Sequence, residues 1–240
     1  MTDLILKGLI KTYNGKKVVD NVNIKIKKGK VTGLLGPNGA GKTTTFYMAV
    51  GLIRPDGGDV FLNNENITEY PMYIRARKGI GYLPQEPSTF RKLTVKQNIT
   101  AILEVLYKDT KKINRKADTI MDELGIGYLK DQKALSLSGG ERRRLEISRV
   151  LATDPVFILL DEPFAGIDPL AVIDIQKIIS QLTQKEIGVL ISDHNVRETL
   201  GVCNFAYIMR QGKVIETGDP EKITSSKIAK KNYLGDNFKL

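Results

Sequence analysis

Residues Gly36-Pro37-Asn38-Gly39-Ala40-Gly41-Lys42-Thr43-Thr44 contain the spacing G-x-x-x-x-G-K-[ST]. A polyphosphate concentrates negative charge, and this stretch answers it in three ways. Its glycines let the backbone come close, a helix start beyond them presents N–H groups, and a lysine supplies a full positive charge. Lys42 would reach the β- and γ-phosphates of a nucleotide, and the Thr43 hydroxyl would ligate Mg²⁺. Far along the chain, the apolar run 156–160 ends in Asp161-Glu162. Two carboxylates side by side could divide the work, Asp161 binding Mg²⁺ through water and Glu162 polarising an attacking water. General-base help of that kind is worth about 10²–10⁴ in rate. Alone, the same pair would read as a strand that ends in a solvated acidic turn.

A third stretch, Ser138-Gly139-Gly140-Glu141, is a capping box that opens a helix over 142–151. Two consecutive glycines there also leave backbone N–H groups bare, which suits a phosphate. A cap alone would not need both.

The elements that position these residues follow from periodicity. Apolar residues alternate over the first thirty positions around the turn signal Asn14-Gly15, which predicts an antiparallel β-layer. Val31-Thr32-Gly33-Leu34-Leu35 reads as a buried strand feeding the glycine-rich loop and a helix from Thr43 to Ile53, stopped by Pro55. Asp56-Gly57-Gly58 turns into a strand at Val60-Phe61-Leu62. From Leu93 to Leu151 strand signals vanish and helical spacing takes over, as in Ile99, Ile102, Leu103 and Leu106. Strands return at 156–160 and 188–191 with helical Pro169 to Leu182 between them, a βαβ unit and so a parallel sheet. In such a sheet the acidic strand end and the phosphate loop share one crevice, and adjacent acids would point to opposite sides of their strand. A hairpin around Gln211-Gly212 and a last helix capped by Asp219-Pro220 follow. The predicted organisation is one domain over 1–240: a core from 1–92 and 152–225 with its β-layer, a helical subdomain over 93–151 and a tail over 226–240.

Composition excludes much. No run of about 18 apolar residues exists to form a membrane-spanning helix. The start of the chain carries Asp3 and no long apolar stretch, so no secretory signal is expected. One cysteine, Cys203, and one histidine, His194, leave no intrachain disulfide and exclude most zinc sites and Cys/His nucleophile pairs. The net charge of +10 raises nucleic acid or an anionic membrane as partners. The lysines are scattered without aromatic platforms, however, so no nucleic-acid partner is expected.

Leu137-Ser138-Gly139-Gly140-Glu141, placed after the phosphate loop and before the acidic strand end, resembles the signature sequence of the ABC ATPases. The resemblance runs over nearly the whole chain. It implies an α/β P-loop NTPase (RecA-like) core with an N-terminal antiparallel β-layer and an inserted all-helical subdomain. ATP and Mg²⁺ are the implied cofactors. Tyr13 resembles the aromatic residue that stacks on adenine, and Gln85 the glutamine that links Mg²⁺ to the helical lobe. Ala165-Gly166-Ile167-Asp168 resembles the D-loop through Asp168, although the family usually has Ser-Ala-Leu-Asp there. His194, at the end of a strand parallel to that of Asp161, resembles the switch histidine that senses the γ-phosphate. Ser138, Gly139 and Gly140 would meet the nucleotide of a second copy, giving a head-to-tail, ATP-bridged homodimer.

Within that family, Tyr82 to Glu86 with Phe90-Arg91, Gly140 to Arg144, Asp161 to Pro169, Asp193 to Thr199 and the ending Tyr233 to Leu240 resemble the ATPases of bacterial lipopolysaccharide exporters. This implies a cytoplasmic ATPase on the inner membrane, touching it only through two transmembrane permease subunits. The rival is the ATPase of a branched-chain amino acid importer, whose relatives usually lack Arg142-Arg143-Arg144 and this tail. A soluble ABC protein acting on ribosomes or DNA would typically carry two cassettes or a coiled-coil insertion. A P-loop kinase or GTPase would lack the Ser138-Gly139-Gly140 helix start, and no Asn-Lys-x-Asp motif for guanine is present.

Overall fold

Asn14 and Gly15 both take positive φ, 49° and 76°, as a type I′ turn demands. They fold strand β1 (Asp3–Tyr13) back on β2 (Lys16–Lys27). Along β2 the exposed lysines Lys25 and Lys27 alternate with buried Val22, Ile24 and Ile26, so one face of the hairpin is apolar. The fold that covers that face is a computed structural model that describes residues 2–236 and 238.

β3 (Val31–Leu35) is buried throughout and leads through the phosphate loop into α1 (Lys42–Val50). β4 (Gly57–Leu62) and β5 (Glu65–Asn66) complete the first sheet, in the order β2-β1-β4-β5. A short helix α2 (Met72–Arg77) and strand β6 (Ile80–Leu83) follow. Then come the helices α3 (Val95–Leu106), α4 (Thr110–Glu123) and α5 (Gly139–Leu151). The remaining elements are β7 (Phe157–Asp161), α6 (Pro169–Gln184), β8 (Gly188–Ser192), α7 (Val196–Val202), β9 (Phe205–Arg210), β10 (Lys213–Gly218) and α8 (Pro220–Ser225). The second sheet runs β10-β9-β3-β8-β7-β6, parallel except for the β9–β10 hairpin.

One face of this parallel sheet packs on α3, α4, α5 and α6 through Leu83, Ile99, Leu145, Ile158 and Ile175. The opposite face meets the β-layer and α1 through Leu6, Ile24, Phe46, Phe157 and Leu190. A smaller cluster around Leu35, Leu200 and Ile208 receives Tyr233, Leu234 and Phe238. These belong to a final segment of short helix, Lys227–Ala229, and π-helical turn, Lys230–Leu234. The tail therefore packs on its own subunit as far as Phe238, while Asn237, Lys239 and Leu240 of the expected tail lie outside the described residues.

Two local features differ from expectation. The helix after the phosphate loop ends at Val50, well before Pro55, because Gly51 turns to φ 84° and caps it. Arg75, only 1% exposed, then donates Nη1 to the carbonyls of Met48 and Ala49 at 2.7 and 2.8 Å. Its Nε and Nη2 bind the carbonyls of Tyr70 and Thr68, both at 2.8 Å. Burial lowers its pKa to about 10, so it keeps its charge at neutral pH. The second difference is β6, an edge strand that the periodicity did not reveal. Four residues are too few to show a period, yet pairing with β7 makes them a strand.

Arg75→Met should strand the carbonyls at the end of α1 without partners. The expected cost is on the order of 3 kcal/mol, a fall in thermal midpoint of roughly 6–12 °C by calorimetry. An unchanged midpoint would mean that water takes over those carbonyls.

Candidate functional site

Because the sheet is parallel, the segments after β3, β6, β7 and β8 all emerge at one edge. They carry the phosphate loop, Gln85, Glu162 and His194 respectively. Two loop glycines are dictated by close approach. A Cβ on Gly36 (φ 150°) would lie 2.2 Å from the Met209 carbonyl oxygen of β9, and one on Gly41 (φ 100°) 2.4 Å from that of Val18 in β2. Gly39 faces open space. Gly41 is also the N-cap of α1 and offers no side chain to the first N–H groups. Pro37 is half-buried, Asn38 is exposed and Ala40 is buried; Thr43 is exposed on the first turn, with Thr44 half-buried beside it.

Lys42 turns back over this loop, its ammonium donating to the carbonyls of Gly36 at 2.7 Å and Pro37 at 3.2 Å. Burial lowers the pKa of the amine, while the nearby Glu162 and Asp161 charges act against that shift. Tyr13 stands exposed at the end of β1, with the Lys11 ammonium 5.6 Å from its ring centroid. The β2 residues beyond the turn, Val18 and Val19, pack on Gly41, which sets the hairpin beside the phosphate loop.

Asp161 is 2% exposed at the end of β7. Burial first, and the neighbouring Glu162 carboxylate second, push its pKa up to about 6. Glu162 accepts a hydrogen bond from Gln85 Nε2 at 2.8 Å, and His194 Nδ1 lies 3.4 Å from the same oxygen. Three strand exits thus meet on one carboxylate. Strand alternation does not separate the two acids, as the sequence had suggested. Glu162 lies just past β7 at φ 48°, a left-handed conformation, while its N–H still bonds Ser192 O at 2.6 Å. The turn places the carboxylate against Gln85 and His194.

The helix start at Ser138 forms a second cluster. Ser138 caps α5, and its hydroxyl and N–H both donate to the Glu141 carboxylate at 2.8 Å, which holds that carboxyl below the usual range. Ser138 and Gly139 are exposed. Gly140 is buried, and a Cβ there would sit 2.8 Å from Ala171 Cβ on α6. Helix packing therefore explains the second glycine, where sequence reasoning assigned both to an anion. Gly166 and Ile167 approach Gly139, and Asp168 caps α6 by accepting from Ala171 N at 2.9 Å. Among the described residues, no hydrogen bond joins Ser138–Gly140 to the phosphate loop of the same chain.

Sequence reasoning missed two buried groups. Asp193, fully buried, accepts from the N–H groups of Phe164 at 3.1 Å and Asn195 at 2.8 Å, so it ties together the turns that carry Glu162 and His194. Arg143, one of three consecutive arginines, points inward behind Glu162. Only its place beside the signature could have drawn attention to it.

Several comparisons bear on this geometry. Residues 19–165 match the family model described as ABC transporter. The chain is 53% identical to the lipopolysaccharide export system ATP-binding protein LptB of Haemophilus influenzae, over the full length of both. Identity to LptB of Escherichia coli K12 is 50%, again over both full lengths. A crystal structure of an ATP-binding cassette of an ABC transporter, in its ADP conformation, superposes with a TM-score of 0.90 at 30% identity, covering 98% of this chain and 100% of the other.

Asp161 yields a pH prediction. Between its unfolded value near 4 and the folded value of about 6, the folded state holds more proton than the unfolded one, so stability falls as pH rises. Asp161→Asn should therefore raise the thermal midpoint of the nucleotide-free protein at pH 7.5, by the equivalent of on the order of 2–3 kcal/mol. Below about pH 4 the gain should vanish. Thermal melts of both proteins across pH check this, and an equal gain at every pH would contradict it.

Proposed function

The chain belongs to the ABC transporter family as an ATP-hydrolysing subunit, and we propose that it drives lipopolysaccharide export as a homodimer beneath two transmembrane permease subunits. The observation that carries the catalytic part is the convergence of Gln85 and His194 on the Glu162 carboxylate beside the phosphate loop. Identity above one half over the whole length of LptB supports the cargo.

In this reading ATP lies along Gly36 to Thr44, with adenine against Tyr13. Lys42 exchanges its loop carbonyls for phosphate oxygens. Glu162 takes the proton of the attacking water, Gln85 and His194 fix the direction of its carboxylate, and positioning with charge neutralisation provides most of the rate. Thr43, Asp161 and Gln85 supply hard oxygen donors, and a buried carboxylate with a raised pKa is well suited to a cation. They would hold Mg²⁺, which offsets charge on the β- and γ-phosphates when bound.

Ser138, Gly139 and Gly140 of one subunit, with Asp168 nearby, would close on the nucleotide held at Lys42 of the other. The exposed, outward-facing start of α5 supports this, and a symmetric pair makes both sites equivalent. The helical segment 93–151 acts as the lobe that tilts against the core formed by 1–92 and 152–225. Exposed Phe90 and Arg91, at the entry to that lobe, would meet a permease helix and pass the motion on. The subunit would reach the cytoplasmic face of the inner membrane only through those partners, with no nucleic acid involved.

Glu162→Gln should keep ATP binding and lower hydrolysis by about 10²-fold or more. An ATP-dependent dimer should then persist on size-exclusion chromatography. Ser138→Arg should leave monomer affinity for ATP near normal while hydrolysis collapses; loss of monomer binding would remove the trans arrangement. Affinity capture from detergent-solubilised membranes tests the cargo. Exporter permeases should co-purify, and an amino acid permease in their place would overturn the assignment.

A further inference from the structure

The turn that carries Glu162 is strained. A non-glycine residue at φ 48° needs surroundings that hold it there. The carbonyls of Asp161, Glu162 and Pro163 all converge on one side chain, Arg143. Its Nη2 donates to the Asp161 and Glu162 oxygens at 3.1 and 3.0 Å, and its Nε to that of Pro163 at 3.3 Å. Nη1 reaches the Pro84 carbonyl at 3.2 Å, immediately before Gln85, and the Glu146 carboxylate at 3.0 Å.

Arg143 is 6% exposed and Glu146 3%, so this is a buried charge pair spending its donors on backbone carbonyls. A guanidinium suits the task, since its planar fork can serve several carbonyls at fixed angles. Removing one partner of such a pair leaves the other charge and the carbonyls uncompensated. The same face of α5 continues toward the lobe entry. Glu146 accepts from Ser88 N at 3.1 Å, and Arg149 donates to Ser88 O while its guanidinium lies 4.6 Å from the Phe90 ring centroid.

The structure assigns Arg143 as the positioning residue of the hydrolytic site, which holds the Glu162 turn and the Gln85 backbone in fixed relation to the signature helix. The assignment rests on Glu162 being the base. Arg143 touches no reacting atom; it sets where the Glu162 carboxylate and its Gln85 partner sit. Because α5 begins at Ser138, closure of a partner's nucleotide on that helix start would be transmitted to the base through this side chain.

The experiment is a double-mutant cycle in single-turnover phosphate release from the full-length protein, with ATP affinity and thermal midpoint measured alongside. Arg143→Gln should lower the rate about 10–100-fold while ATP affinity stays within about twofold. Arg143→Lys, which keeps the charge but has a smaller donor set, should recover part of the loss. In the Glu162→Gln background, Arg143→Gln should cost less than about twofold more, because the group it positions has already been removed. If the full single-mutant loss reappears in that background, Arg143 acts independently of Glu162 and the assignment fails. It fails too if Arg143→Gln weakens ATP binding at an unchanged rate, or hydrolyses normally while Glu162→Gln is inactive. Should Glu162→Gln itself hydrolyse normally, the base reading falls and this assignment falls with it. If Arg143→Gln does not fold, Arg143→Lys is the deciding variant. A reduced rate with intact ATP affinity, absent in the Glu162→Gln background, supports positioning; failure of Arg143→Lys to fold would make the residue a part of the core and nothing more.

Discussion

Negative charge gathered at the ends of parallel strands is the constraint on which the rest of the structure depends. Asp161 and Glu162 are adjacent, Asp193 is buried one strand away, and the phosphates of ATP add to the same corner. Burial, with the neighbouring Glu162 charge, raises Asp161 to about 6. Lys42 brings a positive charge toward it from the front, and Arg143 supports the same turn from behind. Part of this density is offset by hydrogen bonds, since the buried Asp193 carboxylate accepts from two backbone N–H groups.

The helix that begins at Ser138 serves two surfaces. Its start is exposed at Ser138 and Gly139, while Gly140 is buried. Its buried face carries Arg143, Glu146 and Arg149, at a spacing of three, against the segment from Pro84 to Phe90. In the proposed assembly, a rigid element with one end toward the second subunit and one side on the Glu162 turn is a direct physical route between them. A continuous core links α3, α4 and α5 to the sheet, so the helical segment is packed on the core rather than held by a loose tether.

Steric crowding explains the glycines better than flexibility does. Gly36 and Gly41 are squeezed by the backbones of β9 and β2, and Gly140 by α6. Gly39 faces open space and Gly139 meets only looser contacts. The tail belongs to the same neighbourhood. Tyr233 packs into the cluster under Leu35, next to Gly36, and its buried hydroxyl makes no hydrogen bond of good geometry. Phe238 lines a shallow cavity with His194 and Val196, which brings the tail close to His194.

The spacing of Gly36 to Thr43, the capping box at Ser138 and the apolar strand before Asp161-Glu162 were legible in the sequence, because each is local: a few consecutive residues define its chemistry. Alternation made the β1–β2 hairpin legible for the same reason. Gln85 was legible only by resemblance, since nothing near it in sequence marks its function. The tertiary structure decided what local pattern cannot express. It brought Gln85 and His194 onto one carboxylate oxygen, made four residues of β6 into an edge strand by pairing, and turned Glu162 with positive φ where alternation had been expected. It also turned Arg143 inward from a run of three arginines that nothing in the sequence distinguishes. The physical reason is that a hydrogen bond between residues about 20 to 80 positions apart leaves no periodic trace in the chain. Only the packing of α5 against the sheet determines which of three identical side chains faces the carbonyls and which face water.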